Sequence, residues 1–329
     1  MKIIVFTTIL ISLRFITLGQ ENYLQYHKNI ALIEHAILEK KYNEAILSYN
    51  ILFNSFKHPF VKDIYNAAIC AILNNQDSLS MIYLKRLAER GIEEKYIKNK
   101  NFKTLKKNKN YKIFISEYDS IQKNAVKFID NKYIKSIDSM LIQDQLYRNK
   151  RNAYSNFNDK IKEIDSLNCK KLYEILKQDS LGKRYYIVKT PFGLRNYEPE
   201  YIIIRHAYQS KNFILSDILY NCLIKGTINP YNYAELEDKK SNYEKATGKY
   251  GIVVFCKIQN QEREIYYSPE KIDEFNSNRK SIGLESFEDY KEKILLHEKN
   301  ETPFIFMIYE GYVIFRGLSL SDFDKVNHK

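Results

Sequence analysis

Only ten glycines and six prolines punctuate a chain of 329 residues. A turn-rich sandwich needs many more of both, as does a collagen-like or disordered chain, so the scarcity points to helices joined by short connections. Hydrophobic residues make up 44% and aromatic residues 14%, which is ample material for a packed core. The length suits two domains.

The N-terminus carries a second strong constraint. Lys2 precedes an apolar and small stretch from Ile3 to Leu13, and Thr17 and Gly19 set small side chains before Gln20. Residues 1–19 therefore read as a secretory signal, and the protein is expected to be exported, periplasmic or extracellular. Arg14 ends the apolar run too early for a membrane span; it leaves a short anchor as one alternative and an ordinary buried helix as another. No Cys occurs before Cys70, so a lipoprotein anchor is not expected, and no transmembrane segment is expected after signal removal. The four cysteines, Cys70, Cys169, Cys222 and Cys256, include no C-x-x-C pair. One disulfide is open to them in an oxidising compartment, whereas Cys70 and Cys222 have the apolar neighbours of buried thiols.

The first half shows a repeat. In the stretch Lys41 to Tyr49, the residues Tyr42, Ala45 and Tyr49 follow an aromatic–small–aromatic spacing, and a shift of about 35 residues maps Ala45 onto Ser80 and Ala36 onto Ala71. Small residues let paired helices approach, and Ile46, Leu52, Met81 and Leu87 supply an apolar stripe. Pro59 separates two hairpins and Gly91 ends the second. Residues 22–91 resemble tetratricopeptide repeats, and the resemblance implies a face that binds protein or peptide. So few hairpins are expected to pack on the second half.

Net charge is +12, and lysine dominates one region. Lys95, Lys98, Lys100, Lys103, Lys106, Lys107, Lys109 and Lys112 follow one another with no acidic residue between them, and Tyr96, Phe102 and Tyr111 are interleaved. An anionic polymer is one partner for Lys98, Lys103, Lys106 and Lys107; a solvated face is the other reading. The run contains no arginine, which argues against bidentate phosphate recognition.

The second half carries Asp144-Gln145 with Arg148, Asp165 with Asn168, and Ile203-Ile204-Arg205-His206-Ala207. Then come Ala234, Leu236 and Asp238, Tyr250-Gly251, and Arg279 before Gly283-Leu284. In order and spacing, residues 134–293 resemble the bacterial family catalogued as domain of unknown function 6624. That resemblance implies a shared fold and no established reaction. The family's Gly-Trp-Pro and Thr-Gln segments are replaced here, around Gly182 to Gly193 and at Ile252-Val253.

Read from the residues, Asp144 and Arg148 lie four apart on one helix face and can pair. His206, beside Asp144, Asp165 or Asp238, is a candidate general base or metal ligand. The same groups can equally form a hydrogen-bonded network that locks helices together, or line a ligand pocket. No nucleophile elbow, His pair at metal spacing or Gly-rich phosphate loop is present, so no cofactor or metal is assigned. Toward the C-terminus, Gly251–Ile258 and Glu262–Tyr267 read as one β-hairpin, and Pro303–Tyr309 with Tyr312–Arg316 as another.

The expected architecture is thus mainly α: a signal (1–19), tetratricopeptide-like helical hairpins (20–125), a second helical domain (126–295) and a C-terminal β-hairpin extension (296–329). The expected function is that of an exported, non-catalytic interaction or scaffold protein. The alternative is a hydrolase or metal-dependent enzyme using His206 with Asp144 or Asp238.

Overall fold

A computed structural model describes residues 22–126, 131–177, 199–243, 248–252, 255–259, 262–265, 267–299, 301–308 and 313–315. The signal reading at 1–19 and the replaced segment around 182–193 lie outside these residues. The fold is mainly α, and among the described residues no helix is long and apolar enough to cross a membrane.

Helices α1 (Tyr23–Leu38) and α2 (Tyr42–Ser55) form the first hairpin, and α3 (Val61–Leu73) and α4 (Asp77–Glu89) the second. In α1 the buried residues Tyr23, Tyr26, Ile30, Ile33 and Ile37 recur every three or four positions, the spacing that makes one helix face apolar. Both hairpins turn in the same way. Lys40 (φ 60°) and Asn75 (φ 56°) adopt left-handed backbone. The next residue then reaches back, Lys41 N–H to the Ala36 carbonyl and Gln76 N–H to the Ala71 carbonyl, both at 2.8 Å. This closure satisfies carbonyls that the helix end would leave bare. The 35-residue correspondence therefore extends from residue type to turn geometry. Ala45 and Ser80 are fully buried at equivalent positions, and Ser80 donates to the Ala68 carbonyl at 3.2 Å.

Helices α5 (Glu94–Ile97), a 3-10 helix (Lys100–Lys107), α6 (Lys109–Ser116) and α7 (Tyr118–Val126) follow. Their buried Ile97, Phe102, Leu105, Tyr111 and Phe114 continue the core of the hairpins. Beyond them, α8 (Asn131–Arg148), α10 (Asn158–Lys177) and α11 (Pro199–Gln209) pack on one another, with the single turn α9 (Ala153–Asn156) between the first two. Helices α12 (Ser216–Ile224), α13 (Pro230–Tyr243), α14 (Pro269–Ile282) and α15 (Phe287–Glu298) complete the helical body. Ser286 caps α15 by accepting from the Asp289 amide at 3.1 Å.

The hairpins meet the second half through α1, which packs on α12, α14 and α15. Two glycines permit this approach. A Cβ on Gly226 (φ +69°) would lie 2.3 Å from the Tyr23 ring, and one on Gly283 (φ +81°) 2.6 Å from the His27 Cβ. Neither the backbone angle nor the gap admits a larger residue.

The small sheet corrects part of the sequence reading. Strands β1 (Phe255–Gln259) and β2 (Glu262–Ile265) form the expected antiparallel hairpin. Among the described residues the second hairpin is not formed. Strand β3 (Val313–Phe315) pairs parallel to β1, with Phe255 opposite Val313 and Lys257 opposite Phe315. Phe304 to Ile308 are irregular rather than a strand, yet all five are buried. Their apolar run is satisfied by helices, and Asn66 of α3 takes the polar groups of one residue: the Ile305 N–H donates to Asn66 Oδ1 at 2.8 Å, and Asn66 Nδ2 donates to the Ile305 carbonyl at 2.9 Å.

Candidate functional site

The polar residues singled out in the second half converge where α8, α10 and α11 meet. Arg148 is the hub. Its Nη1 donates to Asp144 Oδ1 at 3.0 Å and to the Asp144 carbonyl at 2.9 Å, as the four-residue spacing on α8 predicts. Its Nη2 crosses to α10 and donates to both oxygens of Asp165, at 2.7 and 2.8 Å, the forked geometry that suits guanidinium and carboxylate. Asp165 also accepts from the Ser210 hydroxyl. Asn168, one turn along α10, donates to the Met140 carbonyl of α8 at 2.9 Å.

His206 on α11 completes the cluster. Its Nδ1 lies 2.9 Å from each oxygen of Asp144, whose Oδ2 also accepts from Gln145 at 2.6 Å. An ionised carboxylate can only accept, so the proton resides on Nδ1 and the lone pair of the neutral ring on Nε2. No partner for Nε2 is found among the described residues. The side chains of Asp144 and Asp165 are 1% and 0% exposed, against 16% for His206, so the imidazole is the cluster's opening to solvent. Chemically this is an oriented imidazole on a sequestered carboxylate. The Ser210 hydroxyl is directed to Asp165.

Asp238 does not join it. Oδ1 accepts from the Lys249 and Tyr250 amides at 2.6 and 2.8 Å, and Oδ2 from the Ile252 amide at 2.9 Å. Burial pushes its carboxyl upward, and the three amides work against that. Asp238 is thus an anchor for the chain at Tyr250-Gly251. Arg279 grips the same turn from α14, donating to the Tyr250 carbonyl at 3.0 Å and to the Glu285 carbonyl at 2.8 Å. Among the described residues, no three His, Cys, Asp or Glu side chains converge as a metal site.

The eight lysines from Lys95 to Lys112 are all exposed. Lys95 and Lys98 are paired with Glu93 and Glu94, at 2.6 and 2.7 Å. In the 3-10 helix three residues make a turn, which sets Lys100, Lys103 and Lys106 in one column and buries Phe102 and Leu105 in another. Phe102 and Tyr111 therefore serve the core and offer no stacking surface. Cys70, Cys169 and Cys222 are buried free thiols, and burial pushes the Cys169 thiol up to about 12.

Sequence reading passed over a second polar system. Glu34 of α1 accepts from Lys62 of α3 and from Lys293 of α15. Lys62 also contacts Asp63 at 2.6 Å, and Lys293 lies 3.2 Å from Glu285, which is 3.2 Å from Arg279. Asp63 accepts in turn from the Tyr26 hydroxyl at 2.7 Å. All of these side chains are nearly sealed from solvent. Burial opposes ionisation of Glu34, but the two ammonium groups outweigh it and hold its carboxyl at about 2. A signal was present in the sequence: Glu34 shares a face of α1 with Tyr26, Ile30, Ile33 and Ile37, where a charge must find a partner.

Comparison with known proteins adds no functional assignment, because no protein-family model, curated protein or solved structure matches the chain.

Proposed function

We propose that the protein is an exported, non-catalytic interaction protein. Its tetratricopeptide-like hairpins bind protein or peptide, and its second half, resembling the unknown-function family 6624, serves as a rigid body. The reading is carried by one observation: the hairpin layer holds an irregular, buried stretch of polypeptide, with the Asn66 amide paired to the main chain of Ile305. The closed Arg148 cluster agrees with a rigid body, since its two carboxylates are spent on one guanidinium and tie three helices together. Export is motivated by residues 1–19 and is tested by N-terminal sequencing, which should find mature protein beginning at Gln20. The interaction reading is tested by crosslinking mature protein in envelope extract. A reproducible partner is expected, and its loss when exposed Leu47 and Ile82 are changed to Glu would map it to α2 and α4. Repeated failure to recover any specific partner would overturn the reading.

A hydrolase reading is favoured by a single feature, the Nε2 of His206, which has no partner among the described residues and is held opposite a buried carboxylate. On that reading His206→Ala abolishes an activity and leaves the melting temperature nearly unchanged. A large fall in melting temperature, with no activity found in a broad substrate screen, assigns His206 to the structural network.

A further inference from the structure

We infer that the surface around Asn66 is a peptide-binding site and that Phe304–Ile308 is a ligand the chain supplies to itself. This rests on reading the hairpin layer as a binding surface and names what that surface takes. Asn66 lies within α3 and is 0% exposed. A buried amide in a helical core is costly unless both its ends are satisfied, and here both ends are spent on the N–H and C=O of one residue. Such a contact imitates one rung of a β-ladder. It reads the main chain of a peptide and is indifferent to the side chain at that position.

Side-chain selection falls on the neighbours. The Phe304 and Phe306 rings lie 6.0 Å apart, the first 5.9 Å from the Tyr42 ring and the second with Lys293 Nζ 5.4 Å from its centroid. The ligand class is therefore an apolar peptide with aromatic residues two apart. The segment is also held as a ligand would be. Among the described residues, none of its main-chain groups pairs with another main chain, so the segment itself belongs to no helix and no ladder. A cis segment enjoys a high effective concentration, which keeps the site closed to competing peptides in the resting protein.

The test uses the full chain and a fluorescein-labelled peptide copying Thr302–Ile308. Ile305→Pro removes the N–H that Asn66 Oδ1 accepts and should vacate the site. The peptide is expected to bind this variant one-to-one, at least tenfold tighter than wild type, and to raise its melting temperature. Adding Asn66→Leu should weaken binding at least tenfold, as should replacing both phenylalanines of the peptide with serine. A variant that the peptide neither binds nor stabilises, whether folded or not, overturns the inference, because the segment would then be core. Peptide binding unchanged by Asn66→Leu overturns it too. Should the peptide fail while wild-type protein still captures an envelope partner, this inference falls and the interaction reading stands; peptide binding without any captured partner gives the reverse.

Discussion

Acid should loosen the joint between the hairpins and the second half through one residue, His27. Its ring is 3% exposed and packs among Tyr23, Tyr26 and Phe60, with ring centroids 5.6 to 6.3 Å away. It hydrogen-bonds the Leu223 carbonyl, while Nε2 has no partner among the described residues. Burial, with the nearby Lys62 charge adding to it against the Leu223 bond, lowers its pKa from 6.5 to about 3. The folded protein thus resists a proton that the unfolded chain accepts readily. The stabilisation is fully present above pH 6.5 and is lost progressively as pH falls toward 3. Each unit is worth about 1.4 kcal/mol, so the loss by pH 4.5 is about 3 kcal/mol and the whole effect about 5 kcal/mol. Other groups titrate in this range, so the assay compares wild type with His27→Asn, which keeps a donor near Nδ1 but cannot titrate. Urea unfolding at intervals between pH 7.5 and 4.5 should show the stability advantage of wild type shrinking by that amount. A difference that stays flat across the range would mean the ring takes up its proton in the folded state, and the burial argument would be wrong.

Three further outcomes follow from the polar clusters. Arg148→Met should cost about 3–5 kcal/mol in urea unfolding, because Asp144 and Asp165 would keep their burial and lose their shared cation. Glu34→Gln should cost a similar ~3–5 kcal/mol, since Lys62 and Lys293 would lose the anion between them; a neutral result would show that the ammonium groups reach water. Reversing Lys103, Lys106 and Lys107 to Glu should lower the salt needed to elute the protein from heparin, whereas Lys98→Ala, whose partner is already Glu94, should change elution little.

What could be read from the sequence was local. The Asp144–Arg148 pair and the end of the second hairpin at Gly91 each depend on residues within about five positions, where helix geometry dictates who meets whom. The remainder needed tertiary knowledge. Asp165 reaches Arg148 only because α8 and α10 pack together, and nothing in its own neighbourhood distinguishes it from Asp238, whose oxygens went to backbone amides instead. The strand expected at 303–309 failed for a related reason. An apolar run rich in Phe and Ile fits a buried strand, but a strand also needs a ladder partner, and helices surround this one. Lysine and glutamate are ordinarily solvated, so Lys293 gives no hint of a sealed pair and Glu34 only the hint of its place on the buried face of α1.

The pairing of Asn66 with Ile305 spans 239 positions, and that separation bears on synthesis. A ribosome will have delivered both hairpins long before the stretch that covers α3 exists. Until then the nascent chain carries bare apolar helix surface, the condition under which chaperones bind and premature aggregation begins. Completion should therefore be late and slow for a protein so rich in helix.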